Sequence, residues 1–273
     1  MLYFPNAKIN IGLNITSKRE DGFHNLTTLF YPLQLCDGLE IVENNKDQTT
    51  LTTSGIVING DPLNNLVYKA YELIKEKYKI PSLDLHLHKK IPFGAGLGGG
   101  SADASFVLKG LNELFDLKIE EDELLSMAAK LGSDCPFFII NTPAYATGRG
   151  EILTPTPLDL SGYRLVLVNP NILVPTPEAF KYIKPKQPDT PLLEALKLPV
   201  EKWDGVVVND FEVSVFKQYP EIARLKEDLY KLGASYVSMS GSGSSVFALF
   251  KEEVNWNKEK IDPSYFIWEE IIK

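Results

Sequence analysis

The stretch that decides the fold reads Pro92-Phe93-Gly94-Ala95-Gly96-Leu97-Gly98-Gly99-Gly100-Ser101-Ala102-Asp103. It follows the alternating segment Leu83–Leu87, which predicts a half-buried strand, and precedes an apolar helical repeat over 104–115. Five glycines in seven residues let the backbone take positive φ and approach a ligand without a Cβ in the way. Because the first N–H groups of a helix lack intrahelical partners, we expect a phosphate site at residues 94–100.

The spacing of this loop argues against two common nucleotide-binding motifs. No Gly-Lys-Ser/Thr sequence ends it, so it is not a Walker A loop. Gly94, Gly96 and Gly99 match the G-x-G-x-x-G spacing, but no βαβ unit with a terminal acid surrounds them, as a dinucleotide fold would require. A flexible linker is the remaining alternative, and the position of the glycines directly before a helix argues against it.

The other patterns predict an α+β fold, because strand-like segments come in runs and do not alternate strictly with helices. The predicted strands are Ala7–Ile15, Leu26–Leu35, Leu39–Glu43, Thr49–Ile58, Tyr163–Val168, Tyr236–Ser240 and Val246–Lys251. Further helices are predicted at Asn64–Lys79, Glu120–Leu131, Val206–Gln218 and Pro220–Leu232, with a proline-rich connection over 169–203. The length of 273 residues is suited to two domains, which we place at 1–152 and 153–273.

The composition is that of an ordinary globular protein, with 44% hydrophobic and 23% charged residues. A net charge of −8 argues against nucleic-acid binding, which needs a basic surface to replace phosphate counterions. Two cysteines, Cys36 and Cys135, do not make a disulfide framework. No apolar stretch approaches the roughly 20 residues that span a bilayer, and no signal-peptide pattern opens the sequence. We therefore expect a cytoplasmic protein with small-molecule partners, no nucleic-acid partner and no membrane association.

Several blocks of the sequence resemble motifs of the GHMP kinases, the family of the galactokinases and the homoserine, mevalonate and phosphomevalonate kinases. Residues 7–13, 92–102 and 239–243 resemble the first, second and third motifs of that family. Four further blocks resemble the branch whose acceptor is a cytidine-diphosphate-linked methylerythritol: Arg19–Leu26, Asn65–Val67, Gly132–Phe138 and Pro175–Phe180. Each block alone is a weak signal, but together they follow the order of the family along nearly the whole chain.

The resemblance implies the two-domain GHMP kinase fold, with a ribosomal-S5-like N-terminal domain and a ferredoxin-like C-terminal domain. It implies that residues 1–152 bind ATP and carry the catalytic groups, and that residues 153–273 complete the substrate cleft. The implied reaction transfers the γ-phosphate of ATP to the 2-hydroxyl of the cytidine-diphosphate-linked methylerythritol, in the non-mevalonate isoprenoid pathway. The implied cofactor is Mg²⁺, bound mainly through the phosphates of ATP and not by a protein cage.

Two alternative functions stay open at this stage. One is a GHMP kinase with another acceptor, such as homoserine or mevalonate, which carries no nucleobase for Phe23, His24 and Phe180 to bind. The other is a non-catalytic sensor on the same fold, against which the presence of Asp134 and Lys8 argues. The oligomeric state is equally open, and we expect a monomer or a homodimer.

Two residues are candidates for catalysis. By spacing alone, Asp134 is more readily the N-cap of a short helix that begins at Cys135-Pro136. The resemblance implies instead that Asp134 is the base that accepts the proton of the attacking hydroxyl. It also implies that Lys8 keeps this carboxylate ionised, where the alternative is a surface lysine on an edge strand.

The substrate-binding candidates are implied by the same resemblance. His24 would bind the edge of the cytosine, Phe23 and Phe180 would stack on its two faces, and Thr176 belongs to the same cytidine-side segment as Phe180. Asn10 would orient the acceptor from the strand face that carries Lys8. Core packing is the alternative role of the two phenylalanines. The family usually has tyrosine in place of Phe23, so the hydrogen bond of a phenol is lost here.

The ATP-binding candidates surround the glycine loop. Asn65 is expected to contact the adenine or to cap the following helix, and Ser101 to bind a phosphate or the metal or to act as an N-cap. The family's usual second serine is Ala102 here, and Asp103 could also touch the metal. Lys89 either neutralises phosphate or is solvated. The predicted ATP-binding residues are Asn65, Pro92, Gly94, Ala95, Gly96, Leu97, Gly98, Gly99, Gly100, Ser101 and Ala102.

Overall fold

The structure is a computed structural model that describes residues 1–58, 60–251, 254 and 256–272. The strands in this part of the chain are β1 (Leu2–Tyr3), β2 (Asn6–Lys18), β3 (His24–Cys36), β4 (Gly38–Glu43), β5 (Thr50–Gly55), β6 (Leu83–Lys89), β7 (Ala144–Thr147), β8 (Ile152–Pro155), β9 (Tyr163–Asn169), β10 (Tyr236–Met239), β11 (Val246–Lys251) and β12 (Phe266–Ile271). The α-helices are α1 (Leu66–Lys77), α2 (Gly99–Leu114), α3 (Glu121–Leu131), α4 (Cys135–Ile140), α5 (Thr176–Phe180), α6 (Leu192–Ala195), α7 (Phe211–Gln218) and α8 (Pro220–Lys231). None of the described helices is both long enough and apolar enough to cross a membrane.

Packing divides the chain into two compact units, of which the first comprises residues 1–8, 32–93 and 98–142. Its sheet has the order β1-β4-β6-β5, in which β5 is parallel to β6 and the other neighbours are antiparallel. Helices α1 and α2 pack against each other and share one apolar core with the sheet. Buried members of this core include Leu39, Ile41, Leu83, Leu85, Leu87, Val67, Ile74, Val107, Leu108 and Leu111. The alternating leucines that predicted a half-buried strand therefore belong to the core.

Helix α2 has a glycine in its middle, although glycine costs about 1 kcal/mol relative to alanine in a helix. A Cβ at Gly110 would lie 2.8 Å from the Tyr3 ring and 3.1 Å from Ile41. The Tyr3 hydroxyl also donates to the Gly110 carbonyl oxygen (3.3 Å) and to the Glu113 carboxylate (3.1 Å). The missing side chain thus lets α2 approach β1 and β4 closely.

The second unit comprises residues 9–31, 94–97 and 143–273. It contains an antiparallel sheet of order β10-β11-β9-β12. Helices α7 and α8 share a core with this sheet, whose buried members include Val166, Val168, Phe211, Val215, Ile222, Leu225 and Val237. A further sheet has the order β2-β3-β7-β8. Strands β2 and β3 are long enough that each begins in one unit and ends in the other.

Most of the predicted elements are confirmed, as is the α+β class. The predicted strands over Ala7–Ile15 and Leu26–Leu35 are longer in the structure, and the strands around the C-terminal glycine motif are found at Tyr236–Met239 and Val246–Lys251. Strands β7, β8 and β12 were not predicted. The boundary after residue 152 stays a prediction about domains, because the two units defined by packing are interleaved along the chain.

The predicted helix Val206–Gln218 was wrong in its first part, because α7 begins only at Phe211. The preceding residues pair with β2 instead. The N–H of Leu13 donates to the Val208 carbonyl oxygen, and the N–H of Asp210 donates to the Leu13 carbonyl oxygen, each over 2.8 Å. Such a long-range backbone pairing leaves no trace in a local helical period, so periodicity alone could not detect it.

A buried ion cluster lies where β6 leads into the glycine loop. The Lys89 side chain is 4% exposed and binds the carboxylates of Asp37 and, at 2.7 Å, Asp103. Asp37 also accepts the N–H groups of Lys90 (2.6 Å) and Ile91 (2.9 Å). Sequence analysis suggested that Lys89 is either solvated or neutralises phosphate. The structure shows instead that it is buried and paired with two carboxylates. Burial raises the pKa of Asp103 to about 7, and the two carboxylates raise the pKa of Lys89 although burial opposes this.

We expect Lys89→Met to lower the free energy of unfolding by about 3–5 kcal/mol, because it leaves two buried carboxylates without a cation. Lys46→Met is the matched control, since Lys46 pairs with Asp84 at the surface with 60% of its side chain exposed. Urea unfolding at pH 7 measures both variants. The cluster would have no structural role if the Lys89 and Lys46 variants unfolded at the same urea concentration as the parent chain.

Candidate active site

The glycine loop meets α2 at a point of very close packing in the first unit. Gly98 is the N-cap of α2, has a φ of +70°, and provides no side-chain cap. A Cβ at Gly98 would lie 2.9 Å from the Phe138 ring and 3.2 Å from the aliphatic chain of Lys8. Glycine is therefore required here both by conformation and by space. The N–H groups of the first turn of α2 have no intrahelical acceptor, so this helix start can bind an anion.

The preceding part of the loop packs against the C-terminal glycine motif, and both segments belong to the second unit. The Ser240 hydroxyl donates to the Gly96 carbonyl oxygen over 2.9 Å. A Cβ at Gly96 would clash with the Ser240 carbonyl oxygen, and one at Gly243 would clash with the backbone of Ala95. Sequence analysis identified both glycine motifs, but only the structure reveals that one supports the backbone of the other.

Asp134 and Lys8 form an ion pair, with 3.3 Å between Lys8 Nζ and a carboxylate oxygen of Asp134. The Lys8 side chain is 3% exposed, whereas that of Asp134 is 36% exposed. Asp134 directly precedes α4, yet its side chain makes no capping hydrogen bond to that helix. The alternative of a surface lysine is therefore wrong, and Asp134 occupies the N-cap position of α4 without capping that helix through its side chain. The pair consists of a buried cation and a carboxylate that a substrate can reach.

Cys135 directly follows Asp134, and Ser101 lies near Cys135 in the first unit: a Cβ at Gly132 would be 3.3 Å from Cys135 Sγ and 4.0 Å from Ser101 Oγ. Because Gly98 is the N-cap, the alternative of Ser101 as the N-cap is wrong. The Ser101 hydroxyl instead lies beside the thiol of Cys135. Burial raises the pKa of that thiol to about 11, so the thiol is protonated at pH 7.

A cavity of about 410 Å³ opens in the first unit beside the start of α2. Five apolar side chains, six polar ones and two glycines line it: Leu51, Thr53, Ile58, Gly60, Asp61, Pro62, Asn64, Asn65, Leu66, Lys89, Phe93, Gly100 and Asp103. A cavity of this size that offers both apolar surface and polar groups is suited to a small molecule. Phe93 lines the cavity but was not among the ATP-binding residues predicted from the sequence, although it lies between two of them, Pro92 and Gly94.

Sequence analysis left open whether Asn65 contacts the adenine or caps a helix, and its position in the structure allows both roles. It is the N-cap of α1, and its side-chain oxygen accepts the N–H of Val67 over 2.9 Å. It also lines the cavity. Because the oxygen is engaged by the helix, only the amide NH₂ group is left for a ligand, and among the described residues that group has no partner.

The predicted nucleobase residues lie in the second unit. The rings of His24 and Phe180 are stacked, with centroids 4.7 Å apart and an angle of 21° between planes. Phe180 also meets Phe211 edge-on at 4.8 Å. Burial and the positive charge of Lys18 lower the pKa of His24, so its ring is neutral at pH 7. The structure thus brings His24 and Phe180 together. However, the His24 ring lies on the face of Phe180 on which a nucleobase was predicted to stack.

Phe23 is 54% exposed, so it is not a core residue, and it is covered on one face by Arg149. The Arg149 guanidinium carbon lies 5.0 Å from the centre of the Phe23 ring. Sequence analysis missed Arg149, because nothing in the Gly148-Arg149-Gly150 turn indicates which residue it meets.

Asn10 and Thr176 also belong to the second unit, in different surroundings. Asn10 is 3% exposed and its amide donates to the Thr28 hydroxyl over 3.0 Å, while its backbone N–H donates to Ser240 Oγ over 3.2 Å. Thr176 is exposed at the first turn of α5. Asn10 is therefore held in place by the protein, whereas Thr176 is open to solvent.

Comparison with known proteins agrees with the motifs. Residues 65–142 match the family model of the GHMP kinases N terminal domain, and residues 197–258 match that of the GHMP kinases C terminal domain. The 4-diphosphocytidyl-2-C-methyl-D-erythritol kinase of Parabacteroides distasonis is 51% identical over 269 residues, which are 98% of each chain. The protein of the same name from Bacteroides fragilis is 52% identical over 267 residues, 97% of each chain.

Solved structures give the same result. A crystal structure of 4-(cytidine 5′-diphospho)-2C-methyl-D-erythritol kinase superposes with a TM-score of 0.76 at 35% identity, covering 91% of this chain and 90% of the other. Homoserine kinase from Cytophaga hutchinsonii superposes with a TM-score of 0.66, but its 18% identity establishes a common fold only. The chain therefore belongs to the GHMP kinase family, in the branch of the 4-diphosphocytidyl-2-C-methyl-D-erythritol kinases.

Proposed function

We propose that this chain transfers the γ-phosphate of ATP to the 2-hydroxyl of 4-diphosphocytidyl-2-C-methyl-D-erythritol, a step of the non-mevalonate isoprenoid pathway. The observation that carries the proposal is the ion pair of Lys8 and Asp134, with 3.3 Å between its charged atoms and the Lys8 chain packed under Gly98. Relatives about 50% identical over nearly the whole chain carry the name of this activity.

Asp134 is the group that accepts the proton of the attacking hydroxyl. Its carboxylate is 36% exposed, so a hydroxyl can approach it. The buried ammonium of Lys8, 3.3 Å from this carboxylate, stabilises negative charge that develops on the attacking oxygen. Phosphoryl transfer needs little covalent chemistry from the protein beyond such positioning and charge stabilisation.

The nucleotide is held by the first unit. The cavity of about 410 Å³ takes the adenosine, with Asn65 facing the base. The phosphates lie at the start of α2, where the N–H groups that follow Gly98 and the helix dipole favour negative charge. Among the predicted ATP-binding residues, the glycines between Gly94 and Gly100 can act only through their backbone, since they have no side chain.

Mg²⁺ is the cation that the reaction implies. Among the residues that the structure describes, no three histidine, cysteine, aspartate or glutamate side chains are grouped so that they could hold a metal ion. We propose that the cation is bound mainly by phosphate and water oxygens. Ser101 is the residue that would add a protein oxygen, whereas Asp103 is engaged by Lys89. When bound, Mg²⁺ neutralises charge on the phosphates.

The cytidine is held by the second unit. A neutral His24 can donate one hydrogen bond to the edge of cytosine, and the exposed ring of Phe23 offers a stacking face. Phe180 becomes available as a second stacking face once the His24 ring turns to the base. Asn10 and Thr176 complete the proposed acceptor site.

We place the reaction in the cytoplasm, where ATP is supplied. Cys36 and Cys135 are not joined in a disulfide, which is compatible with a reducing compartment. A monomer or a homodimer remains the expectation for the oligomeric state.

A panel of acceptors tests the proposed function directly. With radiolabelled ATP, we expect phosphate transfer to 4-diphosphocytidyl-2-C-methyl-D-erythritol and none to homoserine or mevalonate. Turnover of homoserine without turnover of the cytidylyl substrate would overturn the choice of acceptor. Binding of both substrates without any turnover would instead indicate a sensor.

Asp134→Asn tests the base. The amide keeps the size of the carboxylate but cannot accept the proton, so we expect kcat to fall about 10²- to 10⁴-fold. The KM for ATP should change little, because the nucleotide site does not include Asp134. Steady-state kinetics measure both constants, with a thermal melt as the control for folding. The assigned role is contradicted if the variant retains parental turnover.

Asn65 allows the capping role to be separated from base recognition. Aspartate at this position still caps α1 but replaces the amide donor with an acceptor, while serine caps α1 and lacks the reach. Because adenine N1 is an acceptor and guanine N1 carries a hydrogen, a donor-only Asn65 favours ATP over GTP. We expect Asn65→Asp to raise the KM for ATP about 10- to 100-fold with an unchanged melting temperature.

Asn65→Ser is the control in this experiment, and its KM for ATP should rise less than that of Asn65→Asp. A KM for ATP that is the same in the parent chain and in Asn65→Asp would mean that this residue caps α1 and does nothing more.

A further inference from the structure

The turn between β7 and β8 carries a single arginine, Arg149, between two glycines. Gly148 has a φ of +69° and Gly150 a φ of +110°, so the backbone has a positive φ on both sides of Arg149. The carbonyl oxygen of Gly148 accepts the N–H of Leu26 over 2.8 Å. Because Leu26 lies in β3, which begins directly after Phe23, this bond fixes the turn next to the segment that carries the Phe23 ring.

The Arg149 side chain is directed by the residue two positions further along the chain. The Glu151 carboxylate accepts the backbone N–H of Arg149 over 2.6 Å and lies 3.5 Å from Arg149 Nε. A Cβ at Gly148 would lie 2.9 Å from the same carboxylate, so glycine leaves the space into which Glu151 turns back. The guanidinium carbon lies 5.0 Å from the centre of the Phe23 ring. Glu151 thus holds the cation over this ring.

The backbone of Phe23 is held by its own loop. Its N–H donates to Asp21 Oδ1 over 3.1 Å, and its carbonyl oxygen accepts the N–H of Arg19 over 2.8 Å. The ring has no polar atom that a hydrogen bond could orient, and 54% of the residue is exposed. The attraction between the Arg149 cation and the ring therefore favours one orientation of an otherwise exposed side chain.

The orientation of this ring matters for a ligand that stacks on it. An exposed aromatic side chain loses rotamer freedom when a ligand orders it, and that loss weakens binding. A ring that is already oriented in the free protein loses less. Because an aromatic ring has two faces, a guanidinium on one of them leaves the opposite face for a nucleobase.

We propose that Arg149 is a positioning residue for the cytidine-diphosphate-linked acceptor, which holds the Phe23 ring so that cytosine stacks on the face opposite the guanidinium. The inference rests on the proposed function, in which Phe23 stacks on cytosine. Arg149 acts through the ring and takes no part in phosphoryl transfer. It therefore determines the affinity for the acceptor and leaves the rate of the chemical step unchanged.

Arg149→Met removes the charge and keeps an unbranched side chain. We expect the KM for 4-diphosphocytidyl-2-C-methyl-D-erythritol to rise about 3- to 10-fold, with kcat within about twofold of the parent value and an unchanged KM for ATP. A thermal melt at the parental temperature shows that the variant is folded. Arg224→Met, which alters an exposed arginine of α8, is the matched control and should behave as the parent chain does. The proposal is overturned if Arg149→Met has the parental KM for the acceptor.

A double-mutant cycle separates this role from direct contact between Arg149 and the diphosphate of the substrate. Phe23→Leu removes the ring, so the further change Arg149→Met should then raise the KM for the acceptor by less than about twofold. An equal rise with and without the ring would mean that Arg149 binds the substrate itself, and the positioning role would be wrong.

Calorimetric titration of the intact chain with cytidine 5′-diphosphate gives a measurement that does not need turnover. We expect Arg149→Met and Phe23→Leu each to weaken binding of this nucleotide, and the double variant to bind it as Phe23→Leu does. If the parent chain and Arg149→Met bind it equally well, the inference fails and the proposed function stands. If the parent chain neither binds this nucleotide nor turns over the cytidylyl acceptor, the proposed function fails as well.

Discussion

The close packing at Gly98 is the constraint on which the proposed chemistry depends. A side chain there would meet the Phe138 ring at 2.9 Å and the Lys8 chain at 3.2 Å. Because none is present, the first turn of α2 can start next to the buried Lys8, which in turn reaches Asp134. Three sources of charge, a helix dipole, an ammonium and a carboxylate, thus come from segments far apart in sequence.

The two parts of the glycine loop pack against different neighbours. Residues 94–97 pack with the second unit, where Gly96 and Ser240 are in backbone contact, and residues from 98 onward pack with the first. Backbone contact leaves no room for side chains, so the loop is rich in glycine for steric reasons as well as for phosphate binding. The C-terminal glycine motif accordingly has a structural role that its sequence alone does not indicate.

Hydrogen bonds within the protein decide what remains for a ligand. Asn65 uses its oxygen to cap α1 and keeps only a donor, and Asp103 uses one carboxylate oxygen on Lys89. His24 is neutral because burial lowers its pKa, so it offers a single N–H. Whether each candidate group offers a substrate a hydrogen-bond donor or an acceptor thus depends on the bonds and burial of that group within its own unit.

The sequence by itself determined the α+β class, the strand, loop and helix around Gly98, the family, and the candidate residues in their motifs. Local periods and ordered motifs carry that information, because helix and strand faces repeat along the chain. Only the tertiary structure decided that the Asp134 side chain pairs with Lys8 and makes no capping hydrogen bond to α4, that Lys89 is buried between two carboxylates, and that α7 starts at Phe211. Each of these depends on a partner distant in sequence, and the energy of a buried charge or a long-range backbone pair is set by that partner and not by its neighbours in the chain.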